Sequence, residues 1–189
     1  KSEYRGTGGP LNVSESRVAR DIVDAWVDAA EQAGYPNNND YNSGSQEGVG
    51  HFQMTMRNGR RCSSATAYLK PIRNRKNLSI FTDAQTDKVV FEGKRAVAVE
   101  CRIRGVKTHI SAKAEIILAA GAVGSPQILQ LSGVGDARYL QSIGIRSVHN
   151  APHVGRHLQD HYGINYIFKA NRKTLNDVFG TWHGRVMCG

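Results

Sequence analysis

Side chains become small in residues 117–135, ILAAGAVGSPQILQLSGVG. The apolar run over residues 115–121 predicts a buried strand that ends at Gly121, and the residues after Ser125 predict a helix. Ligands bind at strand ends in open α/β sheets, where glycine and alanine let main-chain amides approach them closely. The same small residues would also let a helix pack tightly on a sheet without a ligand, so both interpretations stand.

Histidine recurs at every fourth residue near the end of the chain, at His149, His153, His157 and His161. On one continuous helix this spacing would align four imidazoles as metal ligands. Pro152 and Gly155 lie within the run and argue against such a helix. A pair formed by His157 and His161, with Asp160 between them, remains an alternative.

Composition favours a globular protein, since 40% of the 189 residues are apolar. The net charge is +9, but the basic groups at residues 58–61 and 73–76 are short and do not alternate with aromatic residues. We therefore expect no nucleic-acid partner. No apolar run approaches the roughly 20 residues of a membrane span, and no signal-peptide pattern is present, so no membrane span is expected.

Three cysteines, Cys62, Cys101 and Cys188, are far apart and form no Cys-x-x-Cys spacing. This argues against a disulfide framework or a zinc site and favours a reducing, cytoplasmic location. The first residue is Lys1 rather than methionine. We therefore expect a processed chain or a piece of a longer one.

The first third of the chain predicts two helices separated by a polar loop. Residues 16–34 have a cap at Ser16, a stop at Gly34, and one apolar face formed by Val18, Ile22, Trp26, Ala29 and Ala33. A shorter helix is predicted from Ser63 or Ser64 to Pro71.

From residue 77 onward, short strands alternate with turns. The predicted strands cover residues 77–84, 87–93, 95–105, 107–112 and 114–121, with Gly93 in a tight hairpin turn. Helical patterns follow after Ser125 and around Tyr139, and residues 161–170 alternate like a strand.

The spacing of Gly121-Ala122, Ser125-Pro126, Ile128-Leu129 and the run Ser132-Gly133-Val134-Gly135 resembles the second signature of the glucose-methanol-choline (GMC) oxidoreductases. Further segments resemble the choline dehydrogenase-like branch of that family, at residues 6–14, 46–50, 58–69, 77–100 and 152–161. The resemblance covers nearly the whole chain. Within the last segment, His153 replaces a family glycine and His157 stands where asparagine is common.

The resemblance implies a mixed α+β and α/β fold, part of a two-domain flavoenzyme. One domain binds FAD in a Rossmann-like manner, and the other is a substrate domain built on an antiparallel sheet. On this map, residues 1–76 belong to the substrate domain, 77–150 to the FAD domain, and 151–189 return to the substrate domain. The chain would be a central fragment whose partners are the missing N- and C-terminal segments of the same enzyme.

Three residues are expected to contact the cofactor on the basis of the resemblance. The main chain of Thr86 would pair with the FAD adenine, and Ala120 and Gly121 would pack against the adenosine and pyrophosphate. Thr86 could equally be an ordinary strand residue. The resemblance assigns no metal ligand, and it implies that the Asp160-His161 pair belongs to a structural loop.

Two other sets of residues have alternative interpretations. The block containing Arg60, Cys62 and Ser63 either lines the flavin and substrate pocket or holds the fold. The aromatic residues Tyr35, Tyr41 and Phe52 either face a substrate channel or anchor loops.

The implied activity is oxidation of a CH–OH group, in an alcohol or a choline-like small molecule, by hydride transfer to flavin. No catalytic residue is expected in this chain, because the family's histidine base lies nearer the C-terminus. The 189 residues also lack a Gly-x-Gly-x-x-Gly phosphate loop, so we expect them to hold FAD weakly when isolated. Alternatives are a flavin-containing hydroxynitrile lyase relative and an inactive structural or binding fragment.

Overall fold

A computed structural model describes residues 3–16, 21–174, 176–177 and 180 of the chain. The chain divides into two units, one made of residues up to Leu78 and from Asn165 onward, the other of Ser79–Ile164. Residues 151–164 belong to the second unit. The resemblance predicts instead that they group with the segment that runs to residue 189. Whether the units are a substrate domain and a cofactor domain remains a proposal.

The first unit contains short antiparallel pairs, namely β1 (Ser14–Glu15) with β2 (Gln53–Met54), and β3 (Met56–Arg57) with β4 (Arg60–Arg61). Between β3 and β4, Asn58 and Gly59 have φ angles of 52° and 74°. An Asn-Gly pair with two positive φ angles favours a tight turn between antiparallel strands.

Helix α1 covers Asp21–Gln32 and confirms the first predicted helix, although Val18 lies outside the described residues. It ends as predicted at Gly34, whose φ is +91°. The N–H of Gly34 donates to the carbonyl of Glu31 (2.9 Å), and the N–H of Tyr35 donates to that of Ala30 (3.1 Å). These two bonds satisfy the last carbonyls of the helix in a Schellman motif.

The predicted apolar face of α1 is not its buried face. Val27 is the buried residue of the helix, whereas Trp26 is 55% exposed. Ile22, Trp26 and Ala29 instead line an open groove of about 700 Å³ together with Phe168. The spacing correctly placed these residues on one side of a helix, but it could not show that this side faces a groove.

The second predicted helix is a π-helical turn, Ala65–Leu69, followed by a 3₁₀ turn, Lys70–Ile72. The hydroxyl of Ser63 accepts the N–H of Thr66 (3.2 Å), as expected of a helix start. Pro71 does not end the helical segment, because proline is tolerated in the first turn of a new helical stretch.

The second unit is built on an antiparallel sheet of β5 (Ala84–Glu92), β6 (Arg95–Ile103) and β7 (Val106–Ser111), in that order. Gly93 (φ +59°) lies in the β5–β6 turn, which confirms the predicted hairpin. The strand predicted over residues 77–84 is wrong up to residue 83, and β5 takes in Ala84. The buried side chains of the sheet are Val89, Ala98 and Cys101.

The predicted buried strand over residues 115–121 is wrong. Residues 113–120 form no strand ladder with any described residue, and Ile117 is 77% exposed. An apolar run becomes a strand only where a neighbouring strand accepts and donates its main-chain hydrogen bonds. The strand predicted over residues 161–170 is wrong for the same reason, since those residues also pair with no described strand.

Helix α2 covers Gly121–Leu131 and packs against β5, so it begins before Ser125 rather than after it. A parallel pair follows, β8 (Val134–Gly135) with β9 (His149–Asn150), and helix α3 (Ala137–Ser142) lies between them in the chain. None of the described helices is long and apolar enough to cross a membrane.

A single hydroxyl joins α2 to the sheet. Ser132, 7% exposed, accepts the N–H of Val89 in β5 at 2.8 Å and donates to the carbonyl of Ile128 at 2.5 Å. Both partners are main-chain groups, and the bonds are buried. The hydroxyl therefore fixes the end of the helix to one point of the strand.

Gly133 must be a glycine for two reasons. Its φ is +86°, and a Cβ there would lie 2.5 Å from the carbonyl oxygen of Arg146 and 2.9 Å from Cγ2 of Val148. Its own carbonyl accepts the N–H of Val148 at 2.7 Å. The chain that leads into β9 therefore lies directly against this residue.

Ser132→Ala should lower the free energy of unfolding by about 1–3 kcal/mol, because it leaves the buried N–H of Val89 without an acceptor. Urea unfolding measures this change. Ser142→Ala is the control, since its hydroxyl also bonds a main-chain carbonyl, that of Tyr139, but is exposed. Equal effects of the two substitutions would contradict the assigned role of Ser132.

Gly133→Ala should destabilise the chain by about 3 kcal/mol or more, because backbone strain and a steric clash add together. Gly144→Ala is the matched control, since Gly144 also follows a helix with positive φ (+75°) but has open space around its Cβ position. We expect that control to cost about 1–2 kcal/mol from strain alone. Thermal or urea unfolding of both variants tests the difference.

Candidate functional site

The start of α2 is bare, exposed main chain. Gly121 has a φ of +82°, and a Cβ built there meets nothing within 4 Å. Ala120, which precedes it with φ −88° and ψ 14°, has no polar side chain with which to cap the helix. The first helical N–H groups carry partial positive charge and have no intrahelical acceptors, so a helix start of this kind suits an anionic group.

Ser125 and Gly124, in the first turns of α2, fix the position of Ala120 at the helix start. The hydroxyl of Ser125 accepts the N–H of Ala120 at 3.0 Å. A Cβ on Gly124 would come within 3.1 Å of the Ala120 Cβ, so the glycine lets Ala120 lie close to the helix. Ser125 and Gly124 thus hold Ala120 close to the helix start.

Pro126 lies inside α2 and has no N–H. The helical bond that residue 126 would donate to the carbonyl of Ala122 is therefore not made. The first N–H groups of the helix also have no intrahelical acceptor. The beginning of α2 consequently offers main-chain donors close together.

Thr86, the third predicted cofactor residue, lies in β5 opposite Cys101 of β6 and is half-buried. The register shifts between Thr86 and Lys88, so Asp87 is an extra residue at a β-bulge. In the part of the chain that the structure describes, the strand partner of β5 is β6, and the opposite edge of β5 faces no strand. Main-chain groups on such an edge can bond a ligand.

Charged pairs surround the bulge. The carboxylate of Asp87 accepts from the guanidinium of Arg102 at 2.6 Å. Glu100 lies between two ammonium groups, with Lys88 at 3.6 Å and Lys107 at 3.5 Å. These partly exposed pairs each contribute little to stability, but they fix the side chains on both sides of the bulge.

The structure brings the predicted cofactor residues onto two elements that pack together. Ala120 and Gly121 lie at the start of α2, Thr86 lies in β5, and α2 packs against β5. The contact of each with a cofactor remains a prediction. The second half of the signature, from Ser132 to Gly135, does not lie at this helix start. Its small residues pack closely against neighbouring parts of the chain.

Sequence reasoning missed the structural role of Ser132 and Gln130. The side-chain amide of Gln130 donates to the carbonyl of Val154 at 3.0 Å, and a Cβ on Gly155 would lie 2.7 Å from that amide nitrogen. The glycine at position 155, between Val154 and Arg156, was the available signal for a close approach of this kind.

In the first unit, the block that resembles a pocket-lining segment makes structural contacts. Cys62 is 1% exposed, and its N–H donates to the carbonyl of Thr55 at 2.8 Å. Ser63 caps the following helical turn, whereas Arg60 is exposed in β4. Cys62 and Cys101 are both free thiols, and Cys188 lies outside the described residues.

The loop aromatics divide into one anchored ring and two exposed ones. Tyr41 packs edge-on against Phe52, with ring centroids 5.9 Å apart, and its hydroxyl accepts the N–H of Gln53 at 3.3 Å. Phe52 and Tyr35 are both largely exposed. Tyr41 therefore serves as the anchor of this loop.

The histidine run does not form a helix, as Pro152 and Gly155 predicted, so His157 and His161 do not align on one. His157 has a φ of +58°, a conformation in which asparagine and histidine are enriched. This explains how histidine can stand where the family commonly has asparagine. Among the described residues, no group of three or more histidine, cysteine or acidic side chains could hold a metal ion.

Asp160 and His161 contact each other in an exposed loop. The carboxylate of Asp160 accepts the main-chain N–H of His161 (2.7 Å) and contacts its Nδ1 (3.3 Å), and these bonds hold the pKa of the carboxyl below its ordinary value. Any stability from this turn is present above the ordinary carboxyl pKa and is lost as the pH falls through the lowered one.

Comparison with known proteins identifies the family of this chain. Residues 2–163 match the family model described as GMC oxidoreductase. The human mitochondrial choline dehydrogenase is 44% identical over 169 residues, which cover 89% of this chain and 28% of that protein. The alcohol dehydrogenase (acceptor) of Pseudomonas putida is 42% identical over 191 residues, covering 100% of this chain and 35% of that protein.

Solved structures show the same fold. Pyridoxine 4-oxidase from Mesorbium loti superposes with a TM-score of 0.73 at 32% identity, over 78% of this chain and 29% of that one. An FAD-dependent oxidoreductase from Chaetomium thermophilum gives 0.74 at 31% identity, over 78% and 26%. The chain spans about a third of the length of the relatives it matches. Because the family model matches residues 2–163, which are most of the chain, the chain belongs to the GMC oxidoreductase family.

Proposed function

We propose that this chain forms the central part of an FAD-dependent oxidoreductase that oxidises the CH–OH group of an alcohol or choline-like small molecule. The observation that supports this most is the open, side-chain-free main chain at Gly121, at the start of α2, in a chain of the GMC family. Two relatives are named a choline dehydrogenase and an alcohol dehydrogenase, and one similar structure an FAD-dependent oxidoreductase.

The residues of the second unit fit the adenosine diphosphate half of FAD. The free main-chain donors at the start of α2 suit a pyrophosphate oxygen, and a side chain at Gly121 would occupy the space that such a group needs. The edge of β5 that pairs with no described strand is bonded by Ser132 at Val89, and its part near Thr86 suits the hydrogen-bonding edge of adenine, which the main chain of Thr86 would meet. Main-chain recognition places little demand on the identity of residue 86.

The residues of this chain would bind and orient the cofactor. When bound, FAD supplies the redox chemistry by accepting the hydride that leaves the carbinol carbon. No residue of this chain would act as the proton-abstracting base. Ser79–Ile164 would be part of the cofactor domain, and the other unit would be part of the substrate domain. The free thiols of Cys62 and Cys101 fit a cytoplasmic enzyme.

Gly121→Ala should weaken FAD binding at least tenfold, about 1.4 kcal/mol, because the new methyl group projects where the cofactor would lie. The measurement is FAD affinity in the longest gene product that contains these residues. Gly105→Ala is the matched control, since Gly105 has a φ of +83° and open space around its Cβ position but lies in the β6–β7 turn. Unchanged FAD affinity in Gly121→Ala would contradict this site.

Under anaerobic conditions, addition of an alcohol should bleach the absorbance of the bound flavin, because oxidation of the substrate reduces the flavin. The same gene product is titrated with choline and with simple primary alcohols. A protein that cleaves cyanohydrins while its flavin spectrum stays oxidised would instead be a lyase. A full-length product that binds no flavin would overturn the proposed function altogether.

A further inference from the structure

Two imidazoles face each other in the loop that follows β9. Nδ1 of His153 lies 3.3 Å from Nε2 of His157, and the ring centroids are 5.4 Å apart with a tilt of 40°. Both side chains are exposed to solvent. Neither ring has a role in the proposed FAD site, so the pair calls for a separate explanation.

The separation of the two nitrogens matches a shared metal ion. Two zinc–nitrogen bonds of 2.0–2.1 Å at a tetrahedral angle place their nitrogens about 3.3 Å apart. Imidazole is a preferred ligand of zinc, copper and nickel. We propose that His153 and His157 form a two-histidine site for a divalent first-row transition metal, with Zn²⁺ as its simplest occupant and water in the remaining positions.

The loop holds the main chain of the two histidines close together before any ion binds. The N–H of Arg156 donates to the carbonyl of His153 at 3.1 Å, and Gln130 of α2 bonds the carbonyl of Val154. The positive φ of His157 turns the chain back toward His153. A ligand pair fixed in this way loses little conformational freedom on binding.

The positive charge nearest to the pair in the sequence is partly offset by a carboxylate. Arg156, which lies between the two histidines in the sequence, pairs with the carboxylate of Asp136 at 3.3 Å. Without a metal, the same two ring nitrogens lie at hydrogen-bonding distance from each other. A metal ion would take the place of the shared hydrogen after small rotations of the exposed rings.

Two protein ligands predict a readily exchanging ion whose binding depends on pH. Because protons compete with a metal ion for its ligands, the affinity should fall as the pH is lowered. Binding of the ion would link His153 to His157 and stabilise the folded loop against unfolding. This inference is independent of the proposed oxidoreductase function.

Calorimetric titration of the 189-residue chain with Zn²⁺ tests the site. We expect one ion per chain, and at least a tenfold loss of affinity in both His153→Asn and His157→Asn. Asparagine tolerates the positive φ at position 157, so the second variant should retain the fold. Circular dichroism of each variant checks that the fold is kept.

His161→Asn is the matched control, because it removes an exposed histidine that contacts Asp160 instead of another imidazole. We expect it to keep the affinity of the parent chain. Equal Zn²⁺ affinity in the parent and in His157→Asn would overturn the proposal, as would loss of affinity in His161→Asn alone. A shift in unfolding midpoint without a change in Zn²⁺ affinity would show that the pair is only structural.

Discussion

The Ser132 hydroxyl bonds a strand amide on one side and a helix carbonyl on the other, and the second unit is organised around that connection. A small antiparallel sheet is stabilised when one of its faces is covered, and α2 packs against β5 in this unit. The hydroxyl fixes where α2 ends against β5 and therefore where it begins, at Gly121. The glycines at positions 133 and 135 then allow the chain to turn back closely enough for β8 to pair with β9.

This connection divides the signature segment into two parts with different tasks. From Ala120 to Pro126 the side chains are short, and they leave main-chain groups exposed at the helix start. From Ser132 to Gly135 the small residues are buried against neighbouring chain. Both interpretations of the small residues in this run are therefore needed: close packing explains one half, and ligand approach is the proposal for the other.

Local signals in the sequence predicted local structure well. The hairpin at Gly93 and the end of α1 at Gly34 each depend on one residue that adopts a positive φ, which is visible from residue type. Partners distant in sequence were not visible. Residues 115–121 have the composition of a strand but pair with no described strand, and the face of α1 around Trp26 borders a groove rather than a core. The contact between His153 and His157 arises from a turn, where the four-residue spacing suggested only a helix.

Cys62 and Cys101 are almost fully buried, one in each unit. A thiol reacts with peroxide as the thiolate, and only where the reagent can reach it. Oxidation of either sulfur to sulfenic acid therefore requires its own unit to open first. Damage by oxidants would be governed by local unfolding of each unit, and either unit could lose its thiol while the other kept it.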